Sequence, residues 1–215
     1  MSRDWNPWFF IPLFLALAAG GLLLLNVRRG EEVLFINGLH TPFLDCVFYY
    51  GTTLGNGLLY FILGILLAWR SLRFSVIAVA CFSVTGILIS FLKKVIFSEV
   101  MRPSVVLAGE PLHFVEGVKI LTHHSFPSGH TATAFSMFCL LSLMAAEKKW
   151  GLLFIVMALL SGVSRIYLTQ HFFVDVYFGA ALGTMVTSLV WSLFSKKQWL
   201  EQWQDKSLAS YMRKL

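Results

Sequence analysis

Charge is scarce in this chain. Asp, Glu, Lys and Arg make up 13% of its 215 residues, about half of the roughly 25% usual in soluble domains. Hydrophobic residues reach 57% and aromatic residues 15%, with a mean hydropathy of +0.73. That balance excludes an ordinary solvated domain and points to a bilayer protein. Cysteine is also sparse: Cys46, Cys81 and Cys139 form no paired framework, and the last two lie inside apolar runs, where they read as small packing residues. Metal-ligand spacing is missing, since no set of Cys, His and carboxylates has it, so no metal or other cofactor is expected. A gathered basic face is missing too. The net charge is +6 and the pI about 9.4, but the cations stand in twos between apolar runs. Membrane topology explains them better than nucleic acid. No internal repeat or low-complexity tract is visible.

Long apolar runs are what the sequence has in abundance. A spanning helix needs roughly 20 apolar residues, and six segments of about that size are found. They cover residues 8–25, 47–69, 74–92, 127–146, 151–168 and 172–194. The first could pass for a cleaved signal, but four leucines follow its small residues, so it is expected to remain as a span. Residues 30–46 mix charges with Leu34, Phe35, Ile36 and Phe43, the pattern of a segment lying along the interface. Residues 93–126 form the longest polar-containing loop, expected as a surface-hugging cap. The basic tail, 196–215, carries Trp199 and Trp203 four apart and is expected as an interfacial helix. The fold class is therefore all-α, an integral membrane six-transmembrane-helix bundle forming one domain over residues 1–215. Oligomeric state has no signature.

Six spans return both termini to one side. That side collects ten of the 17 basic residues and four of the 11 acids, a net +6 against 0 on the other. By the positive-inside tendency the termini are cytoplasmic. Three chemically loaded clusters then face outward together: Lys94 with Arg102-Pro103, Pro127-Ser128-Gly129-His130, and Ser164-Arg165 followed by His171 and Asp175.

Each cluster suits a phosphorylated substrate. His171 and Asp175, four apart, share a helical face. A carboxylate bonded to one imidazole nitrogen fixes the tautomer and leaves the other nitrogen nucleophilic. Ser128 and Gly129 open an apolar helix whose first amides form an anion site, with His130 beside it to supply a proton. Arg102 is held extended by the following proline and offers a planar fork, where Lys94 offers a point charge. Plainer readings stay open: snorkelling cations, a simple N-cap at Ser128, and Asp175 as a first-turn anion. His40, His113, His123 and His124 lack a partner at diagnostic spacing and are expected as interfacial or supporting residues.

In order and spacing, these clusters resemble the signature of the type 2 phosphatidic acid phosphatase family, which shares its catalytic core with vanadium-dependent haloperoxidases. The signature runs Lys, six residues, Arg-Pro; then Pro-Ser-Gly-His; then Ser-Arg, five residues, His, three residues, Asp. The second and third parts match in full. The first departs, because seven residues separate Lys94 from Arg102 and eight separate Lys93 from it; Lys94 is the expected ligand. The likeness is strongest over about residues 90–180, the expected catalytic core.

The resemblance implies that His171 attacks phosphorus to form a phosphohistidine, with Asp175 orienting it. His130 would protonate the departing lipid alcohol or phosphate and then activate water. Lys94, Arg102, Arg165 and the Ser128-Gly129 amides would hold the equatorial oxygens, so that no metal is needed. The expected substrate is a lipid phosphate or diphosphate at the outer face of the cytoplasmic membrane: undecaprenyl diphosphate, phosphatidylglycerol phosphate, phosphatidate or a lipid A phosphate. The alternatives are a lipid phosphotransferase and a non-catalytic headgroup-binding or transport protein. Haloperoxidase activity is not expected of a membrane-spanning chain.

Overall fold

The computed structural model describes residues 5–195, 200, 203 and 206–209, and among them no strand is found. Nine α-helices follow in order along these described residues: α1 Pro7–Asn26, α2 Glu31–Gly38, α3 Pro42–Gly51, α4 Gly57–Arg70, α5 Leu72–Phe91, α6 Pro103–Val106, α7 Gly129–Met144, α8 Trp150–Tyr167 and α9 Phe173–Phe194. Local chemistry sets several of the starts. Asn6, Thr41, Asn56 and Ser128 each accept a first-turn amide of the helix that follows, satisfying donors that no preceding turn can reach. Asn6 is buried, and its amide also donates to the Ser142 carbonyl at 3.1 Å. The start of α1 is thereby fixed to the end of α7.

Four helices, α1, α5 with the turn that extends it, α8 and α9, are long and apolar enough to cross a membrane. Leu15, Leu25, Phe61, Ile87 and Leu189 project outward, as side chains facing lipid do. The expected span at 47–69 is corrected: it is broken. Helix α3 runs into a 3-10 turn, Thr52–Gly55, and α4 leaves at 53° to it. The cause is local, since Asn56 caps α4 and ends the preceding helix. The segment expected to lie flat at 30–46 becomes α2 and the first half of α3. The expected tail helix at 196–215 falls largely outside the described residues.

Helix α7 is the axis of the molecule. At 16 residues it is about 24 Å long, shorter than the roughly 30 Å hydrocarbon layer, and most of its side chains are buried. Packed between α5, α8 and α9, it meets protein on its flanks where a lone span would meet lipid. Cys81 and Cys139 lie in this core with Phe135, Ile155 and Trp191. Close packing of α9 on α7 depends on two glycines one turn apart. A Cβ at Gly183 would lie 2.2 Å from the Ala132 carbonyl oxygen, and one at Gly179 would lie 2.7 Å from that of Ser128. Gly183→Val is therefore expected to destabilise the protein by about 3 kcal/mol or more. Gly86→Ala, where a Cβ meets open space, should change stability by less than about 0.5 kcal/mol. Thermal unfolding in detergent micelles checks the pair.

Candidate active site

Four elements deliver their ends to one place: the C-terminal end of α5, the N-terminal ends of α7 and α9, and the C-terminal end of α8. Helix α8 closes with Thr169 in a left-handed conformation, φ +54. The chain then folds back so that the amides of Gln170 and His171 both donate to the Arg165 carbonyl, at 2.9 and 3.1 Å. This turn accounts for the five-residue interval between Arg165 and His171.

Asp175 does two tasks through one oxygen. Its Oδ2 accepts the Phe172 amide at 3.0 Å, capping α9, and sits 3.2 Å from His171 Nδ1. The helix-start reading and the dyad reading are thus the same atom at work. Ser125 Oγ, on the cap loop, donates to that oxygen as well. Asp175, His171 and Ser125 are all buried. With Nδ1 facing a carboxylate, the imidazole proton belongs there and the lone pair belongs to Nε2. Burial, reinforced by Lys93, Arg102, Arg165 and His130, holds His171 well below the usual imidazole range. That direction favours the neutral imidazole.

Lys93, Arg102 and Arg165 all act electrostatically on His171, Arg102 directly at Nε2. Arg102 NH1 lies 3.3 Å from it and donates to the Gln170 carbonyl at 2.8 Å, while Nε donates to the His123 carbonyl at 2.9 Å. Burial draws the Arg102 guanidinium below its ordinary range. Arg165 donates through NH1 to Thr52 Oγ1 at 2.6 Å, and its buried Nε has no partner among the described residues. Both arginines are only 6% exposed. Neither is paired with a carboxylate among the described ion pairs.

The preference for Lys94 is corrected. Lys94 is exposed, whereas Lys93 is half-buried, bonds the His124 carbonyl at 3.0 Å and acts electrostatically on His171. The reason is a π turn, Leu92–Ile96. It holds more residues per turn than an α-helix, takes up part of the longer interval and rotates the lysine at 93 toward the site.

Two other expected ligands are only partly free. The Ser128 amide donates to the Asp175 carbonyl at 2.9 Å, and its hydroxyl accepts from Thr131. The Gly129 amide has no partner among the described hydrogen bonds. His130, in the first turn of α7, is half-buried and close enough to act on His171. Sequence reasoning weighs Lys93 but ranks it behind Lys94, and it misses Thr52, Ser125 and Gln170. His123 and His124 contribute carbonyls to the cations. His113 bonds Asp45, which Tyr167 also bonds, and His40 stacks on His113 at 4.2 Å. That group ties the cap to α3.

Comparison with known proteins gives the family and the fold. A family model described as the PAP2 superfamily matches residues 71–199, more than half of the chain. The chain belongs to this superfamily, the family that its motifs resemble. A solved structure of Aquifex aeolicus LpxE is 28% identical, with a TM-score of 0.68 over 76% of this chain and 94% of that one. A transmembrane PAP2-type phosphatidylglycerolphosphate phosphatase from Bacillus subtilis shares the fold at 24% identity, with a TM-score of 0.65 over 90% of this chain and 98% of that one. A relative called bacitracin transport permease protein BcrC, from Bacillus licheniformis, is 37% identical over 87 residues. That match spans 39% of this chain and 42% of the relative's length.

Proposed function

We propose that this protein removes phosphate from membrane lipid phosphates or diphosphates through a phosphohistidine on His171. The observation that carries the reading is the largely buried set Lys93, Arg102 and Arg165, which has no carboxylate ion pair among the described residues. Buried positive charge without a counter-ion is costly, and a phosphate dianion supplies the missing partner. Its neighbour is a neutral imidazole already oriented by Asp175.

In the first step the Nε2 lone pair forms a bond to phosphorus as the phosphorus–oxygen bond to the lipid breaks. His130, which takes up a proton as the phosphate dianion binds among the cations, gives that proton to the departing oxygen. The cations and the Gly129 amide hold the three equatorial oxygens as charge spreads over them. In the second step His130 takes a proton from water, whose oxygen attacks phosphorus and frees His171 and inorganic phosphate. The site lies at the end of α7 opposite the start of α1, and the charge bias of the sequence favours the outer face of the cytoplasmic membrane for that end. Undecaprenyl diphosphate, phosphatidylglycerol phosphate, phosphatidate and lipid A phosphates all present the group this chemistry needs. Headgroup choice falls, on this reading, to the cap at 93–126 and the segment at 30–46.

The test is phosphate release by the purified protein from a panel of these lipids in mixed micelles. Free phosphate supports the reading, phosphate moved to an acceptor lipid identifies a phosphotransferase, and binding without either identifies a carrier. Two further outcomes follow. Lys93→Ala should raise KM by about tenfold or more, the effect of losing a charged phosphate contact, and Lys94→Ala should leave it unchanged. Because His171 is held below the usual imidazole range, the acid limb of kcat/KM should fall below the ordinary imidazole value of about 6.5.

A further inference from the structure

Gln170 occupies a position that no motif assigns. It is 4% exposed and stands directly before His171. Its side-chain oxygen lies 3.4 Å from Arg102 NH1 and 3.4 Å from Arg165 NH2, so one neutral acceptor bridges the two guanidiniums. Its Nε2 donates to the Lys119 carbonyl at 3.0 Å, tying the bridge to the cap loop. Arg102 NH1 carries two protons but faces three acceptors: the Gln170 carbonyl, the Gln170 side-chain oxygen and His171 Nε2. What Gln170 takes from that nitrogen is withheld from the nucleophile's lone pair.

The residue type fits this place for a physical reason. Glutamine accepts from both guanidiniums without cancelling their charge and still supplies a donor for Lys119. A carboxylate there would pair with the arginines and compete with a phosphate. An apolar side chain would take a partner from Arg165 NH2 and from the Lys119 carbonyl, and would turn the second Arg102 NH1 proton onto His171 Nε2.

Resting on the phosphatase reading above, we propose that Gln170 is a positioning residue. It sets the separation of Arg102 and Arg165 for a tetrahedral oxyanion and keeps Arg102 from fully occupying His171 Nε2. The shape-conserving variants Gln170→Glu and Gln170→Met separate this role from packing. Orthovanadate binding, measured by calorimetry on the full-length protein in micelles, needs no turnover. Gln170→Met should weaken it about tenfold, the effect of losing one hydrogen bond to a charged group, and Gln170→Glu should weaken it further. In kinetics on a short-chain lipid phosphate, KM should rise more than kcat falls in both variants. If Gln170→Met does not fold, Gln170→Glu decides alone. Unchanged orthovanadate binding in Gln170→Glu, or a loss confined to kcat, overturns the proposal. A wild-type protein that binds orthovanadate but releases no phosphate from any lipid overturns the phosphatase reading instead, and the binding comparison still decides the role of Gln170.

Discussion

His171→Ala is expected to lower phosphate release by about 10⁴-fold or more, because in the proposed mechanism it removes the atom that bonds to phosphorus and not merely a contact. The substitution leaves the cations in place. Lipid phosphate binding should therefore persist, measured as retention of the lipid when the variant is pulled down from mixed micelles. The fold should survive too, since Asp175 keeps its bonds to Phe172 and Ser125. A plainly structural histidine would behave differently: its loss would lower thermal stability and binding together, with residual turnover in the folded fraction. Steady-state phosphate release and thermal unfolding, measured on the same preparation, separate the two.

His130→Ala carries the second large effect, and its size should depend on the leaving group. Proton transfer by a positioned side chain contributes about 10² to 10⁴-fold. A lipid alkoxide needs that proton and nitrophenolate does not. Release from an alkyl phosphate should fall by the full factor in the first step, while nitrophenyl phosphate should still transfer its phosphoryl group to His171. Water activation in the second step then becomes limiting, so a nitrophenolate burst should precede slow turnover. Equal slowing of both substrates without a burst would count against the acid role. The position of His130 supports the assignment: it opens α7 beside the Gly129 amide and acts electrostatically on His171.

Much of this site is legible in the sequence because its chemistry sits at helix ends, where short motifs have local causes. The Arg165-to-His171 interval is one folded-back turn, and the His171-to-Asp175 interval is one helical turn. Both are properties of a few consecutive residues. The choice between Lys93 and Lys94 is not legible, because a π turn changes the residue count per turn and apolar periodicity does not register that. Thr52 is hidden as long as residues 47–69 read as one straight span; the break at Asn56 is what carries the Thr52 hydroxyl to Arg165, 113 residues away in sequence. Ser125 and Gln170 act through partners on other elements, and a polar residue beside a motif gives no sign of which way it faces. The six-span layout rests on composition and length. Neither shows that α7 is short, because burial against α5, α8 and α9 removes the length requirement that lipid imposes.

The most direct measurement is to trap the covalent intermediate. The His130→Ala protein is mixed with nitrophenyl phosphate, quenched in alkali during the burst, digested and examined by mass spectrometry for a phosphoryl group. A phosphoryl adduct on His171, absent from the His130→Ala/His171→Ala double variant, is the predicted result. A burst with the adduct on any other residue, or turnover that continues in the double variant at the single-variant rate, would contradict the account.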